Sequence, residues 1–265
     1  AITHFIQHHE VFPNQPADRV NAVWRLPMHK ITIARWLKHL ALETFGDAEV
    51  SLVENSVDTT QFHAPPRGRR QSPTIGFLYS DVPWKGVADT CAVVERLRAR
   101  LPDLRVRCFG SNPLAPQVPL PPGAEFTLRP PQSRLREIYA SLDLWLCASH
   151  AEGFHLPPLE AMACRTPVVA TEVGGAVEII EPGKNGFLAP VRDVDQLAHH
   201  AAHVLTLPNE AWVAMSQAAH ERAHRYTWDD ATTLFERALE HAVERAARGQ
   251  IAGGLPRATS TDRRA

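Results

Sequence analysis

Long apolar runs are missing from this chain of 265 residues. No stretch approaches the roughly 20 apolar residues that a membrane-spanning helix needs. An excess of charge is missing too. Lys and Arg number 28 against 29 Asp and Glu, a formal net charge of -1, so the basic surplus expected of a nucleic-acid binder is absent. Cysteine is scarce. Cys91, Cys108, Cys147 and Cys164 are far apart, each in an apolar segment. Their spacing fits neither a metal site nor a secreted disulfide framework, which leaves buried thiols in a reducing compartment as the reading. The opening residues 1–5 carry no initiator Met and no basic or apolar part of a signal peptide. They read as the interior of a longer chain.

What remains is an ordinary globular composition, 44% hydrophobic and 22% charged, with material for one large domain or one domain and part of another. Apolar segments at 74–79, 105–109, 125–128, 143–147, 167–170 and 186–189 are short and bounded by Gly, Pro or polar residues. Such runs suit parallel strands buried on both faces. Helical stripes separate them, one of Val87, Cys91, Val94 and Leu101, another of Leu135, Ile138, Tyr139 and Leu142. Strand and helix alternate, so the fold class is α/β with a doubly wound, Rossmann-like parallel sheet.

Upstream, 2–6, 30–34 and 49–53 read as further strands, and 36–45 as a helix ended by Gly46. Too few strands are present to close a second sheet. Residues 1–57 are therefore expected to be the C-terminal remnant of an N-terminal domain. The Pro-, Arg- and Gln-rich residues 58–72 read as a linker, 73–226 as the complete domain, 227–248 as a C-terminal crossover helix and 249–265 as a disordered tail. Helices dominate after residue 190.

Chemistry concentrates in residues 149–164. Here a strand ends, a short loop follows, and Pro157-Pro158 opens a helix. In open α/β sheets ligands bind at the carboxyl ends of strands, and a helix N-terminus favours an anion such as a diphosphate. Two carboxylates, Glu152 and Glu160, flank that place. An ionised carboxylate only accepts hydrogen bonds, so the pair suits sugar hydroxyls, while backbone N–H groups suit phosphate.

The run Glu152-Gly153-Phe154-x-Leu156-Pro157-x-Leu159-Glu160-Ala161-Met162-Ala163 resembles the E-x7-E signature of family 4 glycosyltransferases. The likeness continues through Pro167-Val168-Val169-Ala170-Thr171, Gly174-Gly175, Glu178 and Asn185-Gly186-Phe187-Leu188. The resemblance implies a GT-B type fold and retaining transfer of a hexose or deoxyhexose from a nucleotide-sugar. It also implies no cofactor and no metal, the nucleotide-sugar being a substrate. Glu160 would bind the ribose hydroxyls. Glu152 would sit at the transferred sugar, with Gly153, Phe154, His155 and Leu156 offering backbone N–H groups to sugar and phosphate.

Lys85 in Trp84-Lys85-Gly86 matches the family's cation for the departing diphosphate, whereas Phe77 stands where the resemblance expects an Arg beside Gly76. His8, with His9 as the other choice, is similar to a family His facing the sugar, and Asn55-Ser56-Val57-Asp58 resembles a hinge element. The partners implied are a nucleotide-diphospho-sugar donor and a sugar or lipid-linked acceptor, with no nucleic acid. The setting is cytoplasmic, with peripheral contact at the inner membrane face through the missing domain. The alternative reading is a non-catalytic nucleotide-sugar-binding or scaffold module with a degraded site.

Overall fold

The computed structural model describes residues 1–12 and 15–252. They form two units, Ala1–Glu54 with Thr232 onward, and Asn55–Ala231.

The smaller unit holds a parallel sheet in the order β1 (Thr3–Ile6), β2 (His29–Thr32), β3 (Ser51–Leu52). Between its strands run α1 (Ala17–Trp24) and α2 (Arg35–Phe45). α2 ends as expected, with Gly46 in the left-handed region at φ 68°. α1 was not expected, because Val20, Val23 and Trp24 make too short a stripe to signal a helix. Lys30 is buried on β2, and its Nζ lies 2.7 Å from Asp47 Oδ2.

The larger unit is built on β4 (Thr74–Leu78), β5 (Arg105–Gly110), β6 (Glu125–Leu128), β7 (Leu144–Cys147), β8 (Val168–Thr171) and β9 (Gly186–Ala189). All pair in parallel, in the order β6-β5-β4-β7-β8-β9. The chain runs outward from β4 to β6, then returns to the other side of β4 with β7. The order reverses between β4 and β7, which places a topological switch point there. The helices are α3 (Val87–Arg98), α4 (Gln132–Ala140), α5 (Leu156–Ala163), α6 (Ala176–Ile179), α7 (Val194–Thr206) and α8 (Asn209–Ala223), with α9 (Trp228–Ala247) running on from this unit into the smaller one. β4, β7 and β8 are buried and largely apolar because both faces are covered. Ile75, Phe77, Leu144, Leu146 and Val169 pack with Val93, Val94 and Leu97 of α3 and Leu197, Ala201 and Val204 of α7. Each large side chain so buried contributes roughly 1.5–3 kcal/mol. β6, at the edge, is mostly exposed.

Residues 58–72 lie within the larger unit. Phe62 is buried, with its ring 6.0 Å from that of Tyr139. Arg67 Nη1 donates to Asp143 Oδ1 at 2.9 Å, and its guanidinium lies 4.5 Å over the Trp212 ring. The composition of a solvated linker here conceals an arginine fastened to a buried carboxylate. Of the tail expected from residue 249, Ile251 is buried and the Ala252 N–H donates to Pro27 at 2.7 Å. Residues 253–265 lie outside the described residues. The four cysteines are free. Burial pushes the Cys108 and Cys164 thiols up to about 12, and that of half-buried Cys91 to about 11.

Candidate active site

Three loops meet at the switch point. The turn Pro83–Lys85 follows β4, residues 148–155 follow β7, and Gly174-Gly175 lie beyond β8. Their approach is close. At Gly86, φ 65°, a Cβ would fall 1.8 Å from the Ala148 carbonyl oxygen, so only glycine allows this contact. A Cβ on Gly174, φ 53°, would fall 2.5 Å from the Glu152 carbonyl oxygen. Backbone bonds fasten the loops, His150 N–H to Trp84 O at 2.7 Å and Gly175 N–H to Gly153 O at 3.1 Å. Thr171, buried at the end of β8, donates through Oγ1 to the Ser149 carbonyl.

Glu152 lies at the middle of this junction. Lys85 Nζ donates to both carboxylate oxygens, at 2.8 and 2.9 Å, and Ser149 Oγ donates to Oε1 at 2.8 Å. His155 Nε2 approaches Oε1 at 3.5 Å. Burial pushes the Glu152 carboxyl up, but His155, Lys85 and Ser149 together outweigh it and hold the group below the usual carboxylate range. Burial also pushes the His155 imidazole below its ordinary value, against the opposing pull of Glu152.

His155 caps α5 with φ 78° and ψ 72°, a left-handed conformation that costs a non-glycine residue about 1–2 kcal/mol. The cap has no side-chain hydrogen bond to the helix, and Pro157 and Pro158 carry no N–H, so Leu156 is the one residue of the first three with an N–H to present at the loop. Glu160 is the fifth residue of α5, one turn in. Tyr139 OH donates to its Oε2 at 2.7 Å. Burial pushes the Glu160 carboxyl above the usual range, and the Tyr139 bond offsets this in part. Tyr139 itself is fully buried, among Phe109, Trp145 and Phe62.

The sheet thus brings together Lys85, Glu152, Gly153, Phe154, His155 and Leu156, with Glu160 one helical turn beyond. Phe154 is buried, so its contribution to a ligand is confined to its backbone. His8 belongs to the smaller unit. Its ring stacks on Phe12 at 5.1 Å and meets Trp36 edge-on at 5.6 Å. It lines a cavity of about 460 Å³ with His4, Gln7, Glu10 and Trp24. His9 Nε2 is instead 2.9 Å from Asn21 Oδ1. Phe77 is 1% exposed within the core of the larger unit. A guanidinium in its place would be buried among aliphatic side chains, and the residues at the open end of β4 are Tyr79 and Ser80.

Sequence reasoning missed Tyr139, Ser149 and Thr171. Tyr139 was concealed in an apolar helical stripe, whereas Ser149 stands inside the motif and could have been found as a hydroxyl three residues before the carboxylate. Among the described residues no group of three His, Cys, Asp or Glu is arranged to hold a metal, and no helix is long and apolar enough to cross a membrane.

Tyr139→Phe is expected to leave the fold intact and to remove the one hydrogen bond that pulls Glu160 back toward the carboxylate range. Ionised, Glu160 accepts from hydroxyls through both oxygens and more strongly than when protonated. A raised value therefore weakens ligand binding as pH falls, and the variant should begin to lose affinity at a higher pH than the parent. At neutral pH the loss should be smaller than at pH 5, because more of the Glu160 carboxyl is then ionised. Ligand affinity measured between pH 5 and 8 checks both; identical profiles would contradict it.

Residues 72–206 match the family model described as "Glycosyl transferases group 1". The chain is 35% identical over 164 residues to D-inositol 3-phosphate glycosyltransferase of Mycobacterium avium, covering 57% of this chain and 38% of that protein. It is 32% identical over 249 residues to the protein so named in Mycobacterium marinum, covering 82% and 52%. The chain thus spans about half or less of the length of these curated relatives. Among solved structures it resembles sucrose-phosphate synthase from Thermosynechococcus elongatus, with a TM-score of 0.75, 18% identity and coverage of 92% of this chain and 68% of that one. It also resembles Anabaena HepE in complex with UDP and glucose, with a TM-score of 0.72, 19% identity and coverage of 90% and 70%. These likenesses bear on the fold, and they agree with the GT-B type α/β architecture.

Proposed function

The chain belongs to the glycosyl transferases group 1 family, and from that premise we propose that it carries the sugar-donor half of a retaining glycosyltransferase. The observation that carries this reading is the meeting of Lys85, Glu152 and the start of α5 at the switch point between β4 and β7. A diphosphate at the helix start would face the backbone N–H groups of residues 153–156 and the positive end of the helix dipole. The ribose hydroxyls would donate to Glu160 and the transferred sugar's hydroxyls to Glu152. In the reaction the bond from the anomeric carbon to the diphosphate oxygen breaks, and a bond from that carbon to an acceptor hydroxyl oxygen forms on the same face. The hydroxyl proton passes to the leaving diphosphate. Negative charge develops on that leaving group, where Lys85 and the backbone N–H groups of residues 153–156 are already fixed, and such preorganisation lowers the barrier. No protein nucleophile is required.

The nucleotide-sugar is a substrate, and the reading needs no metal or other cofactor. It implies the cytoplasmic setting in which free thiols persist. Phe77 lends no support to a degraded, non-catalytic site, because its position is inside the core rather than at the ligand.

Calorimetric titration of the chain with UDP, GDP, dTDP and ADP tests the reading. The expected result is micromolar binding of one nucleotide, lost in Glu160→Ala. Failure of all four to bind a folded protein would overturn it.

A further inference from the structure

Glu152 has three partners, and two of them travel with it. Ser149 and His155 belong to its own loop, while Lys85 comes from the turn after β4. Both Glu152 oxygens are taken up by Lys85 Nζ. The proposed function, on which this inference rests, requires Lys85 to serve the diphosphate as well. Two of the three Nζ donors are on Glu152, so a diphosphate that draws on more than the third loosens the lysine's hold on the carboxylate, and a buried carboxylate left with fewer partners needs another.

His155 stands ready for that role on three independent observations. Its side chain is 5% exposed, with Nε2 at 3.5 Å from Glu152 Oε1, an approach rather than a full hydrogen bond. Its Nδ1 is buried without a hydrogen-bond partner. Its backbone is left-handed, φ 78°, where glycine would fit without strain. A strained backbone, a buried imidazole and an unsatisfied ring nitrogen at one residue are unfavourable for the fold alone, and such features gather where a residue has work to do.

We propose that His155 is a positioning residue that takes hold of the Glu152 carboxylate as Lys85 turns to the sugar donor's diphosphate, gaining a proton as it does so. The charged groups facing the imidazole are Glu152 from its own loop and Lys85 from the turn after β4. Lys85 and burial disfavour the protonated ring and Glu152 favours it. Moving the lysine's charge onto a dianionic diphosphate therefore tips the balance toward imidazolium.

Proton uptake on binding is the readout. The nucleoside diphosphate that the chain binds is titrated at pH 7 in two buffers of different ionisation enthalpy, into the parent chain, His155→Gly and His155→Asn. Both substitutions are compatible with a left-handed backbone. Protons taken up by the nucleotide's own phosphate cancel in the comparison. The parent should take up about half a proton more than either variant. His155→Gly should bind about tenfold more weakly although its melting temperature is unchanged or higher, and His155→Asn should regain part of the affinity without the proton. Equal uptake in parent and variants, with nucleotide bound, would overturn this inference and leave the proposed function standing. If no nucleotide binds at all, the proposed function falls and this inference with it.

Discussion

Lys85→Ala, in the protein extended to the full length of its relatives, should lower turnover by about 10²–10³ fold, the effect of removing one preorganised group from a developing negative charge. Substrate affinity should change less than turnover, because the lysine's interaction with the diphosphate strengthens as the leaving group gains charge. The ligand-free protein should respond as well. Glu152 is held below the usual carboxylate range partly by Lys85. A lowered carboxyl stabilises the fold above its unfolded value, and that contribution is lost as pH falls through the lower folded value. Without Lys85 the folded value rises, so acid destabilisation should begin at a higher pH in the variant. Lys85→Arg keeps the charge but changes its shape, and should recover part of each loss. Kinetics with saturating sugar donor and melting curves between pH 3 and 7 check both arms. Unchanged turnover in Lys85→Ala would remove the leaving-group role.

Asp143→Ala should be the most damaging substitution for the fold, at roughly 3–5 kcal/mol, the range for breaking a buried ion pair from one side. Asp143 is 0% exposed. Its Oδ1 accepts from Arg67 Nη1 at 2.9 Å and from the Arg70 N–H at 3.2 Å, and its Oδ2 accepts from the Thr74 N–H at 3.0 Å. Its carbonyl accepts from Trp212 Nε1 at 3.0 Å. One carboxylate thus joins residues 58–72 to the start of β4, while its main chain meets α8. Alanine would leave the half-buried Arg67 guanidinium without its counter-charge and two backbone N–H groups without acceptors. For a unit of this size the melting temperature should drop on the order of 10 °C. Asp143→Asn, which keeps an acceptor oxygen, should cost less. Thermal and urea melts measure it, and a loss below about 1 kcal/mol would contradict the account.

The sequence made the switch-point loops legible for a physical reason. Short apolar runs between amphipathic helices have few alternatives to a buried parallel sheet, and a strand–loop–Pro-Pro–helix string leaves the loop only one end of the sheet to occupy. Glu152 and Glu160 stand in that string, so they could be read from it. The partners that decide their chemistry could not. Tyr139 looks like core by spacing and is core, yet its hydroxyl reaches Glu160 across 21 residues. Arg67 sits in a Pro-rich stretch that reads as solvated, and finds Asp143 across 76 residues. Spacing encodes faces of one element, not pairs brought together by a sheet.

Phe77 illustrates the converse error. Judged along the string beside Gly76 it seemed a lost cation, but β4 turns it into the core. The left-handed backbone of His155 carries no residue-type signal of its own, since glycine or asparagine is the usual occupant.

The central claim is that one nucleotide-diphosphate site lies between Lys85 and the start of α5. A crystal structure of this chain with the nucleoside diphosphate that it binds tests it most directly. The account predicts the ribose hydroxyls on the Glu160 carboxylate, the diphosphate on backbone N–H groups of residues 153–156 at the start of α5, and Lys85 Nζ within hydrogen-bond distance of a phosphate oxygen. A nucleotide bound elsewhere, or one bound there with Lys85 Nζ out of reach of every phosphate oxygen, would contradict it.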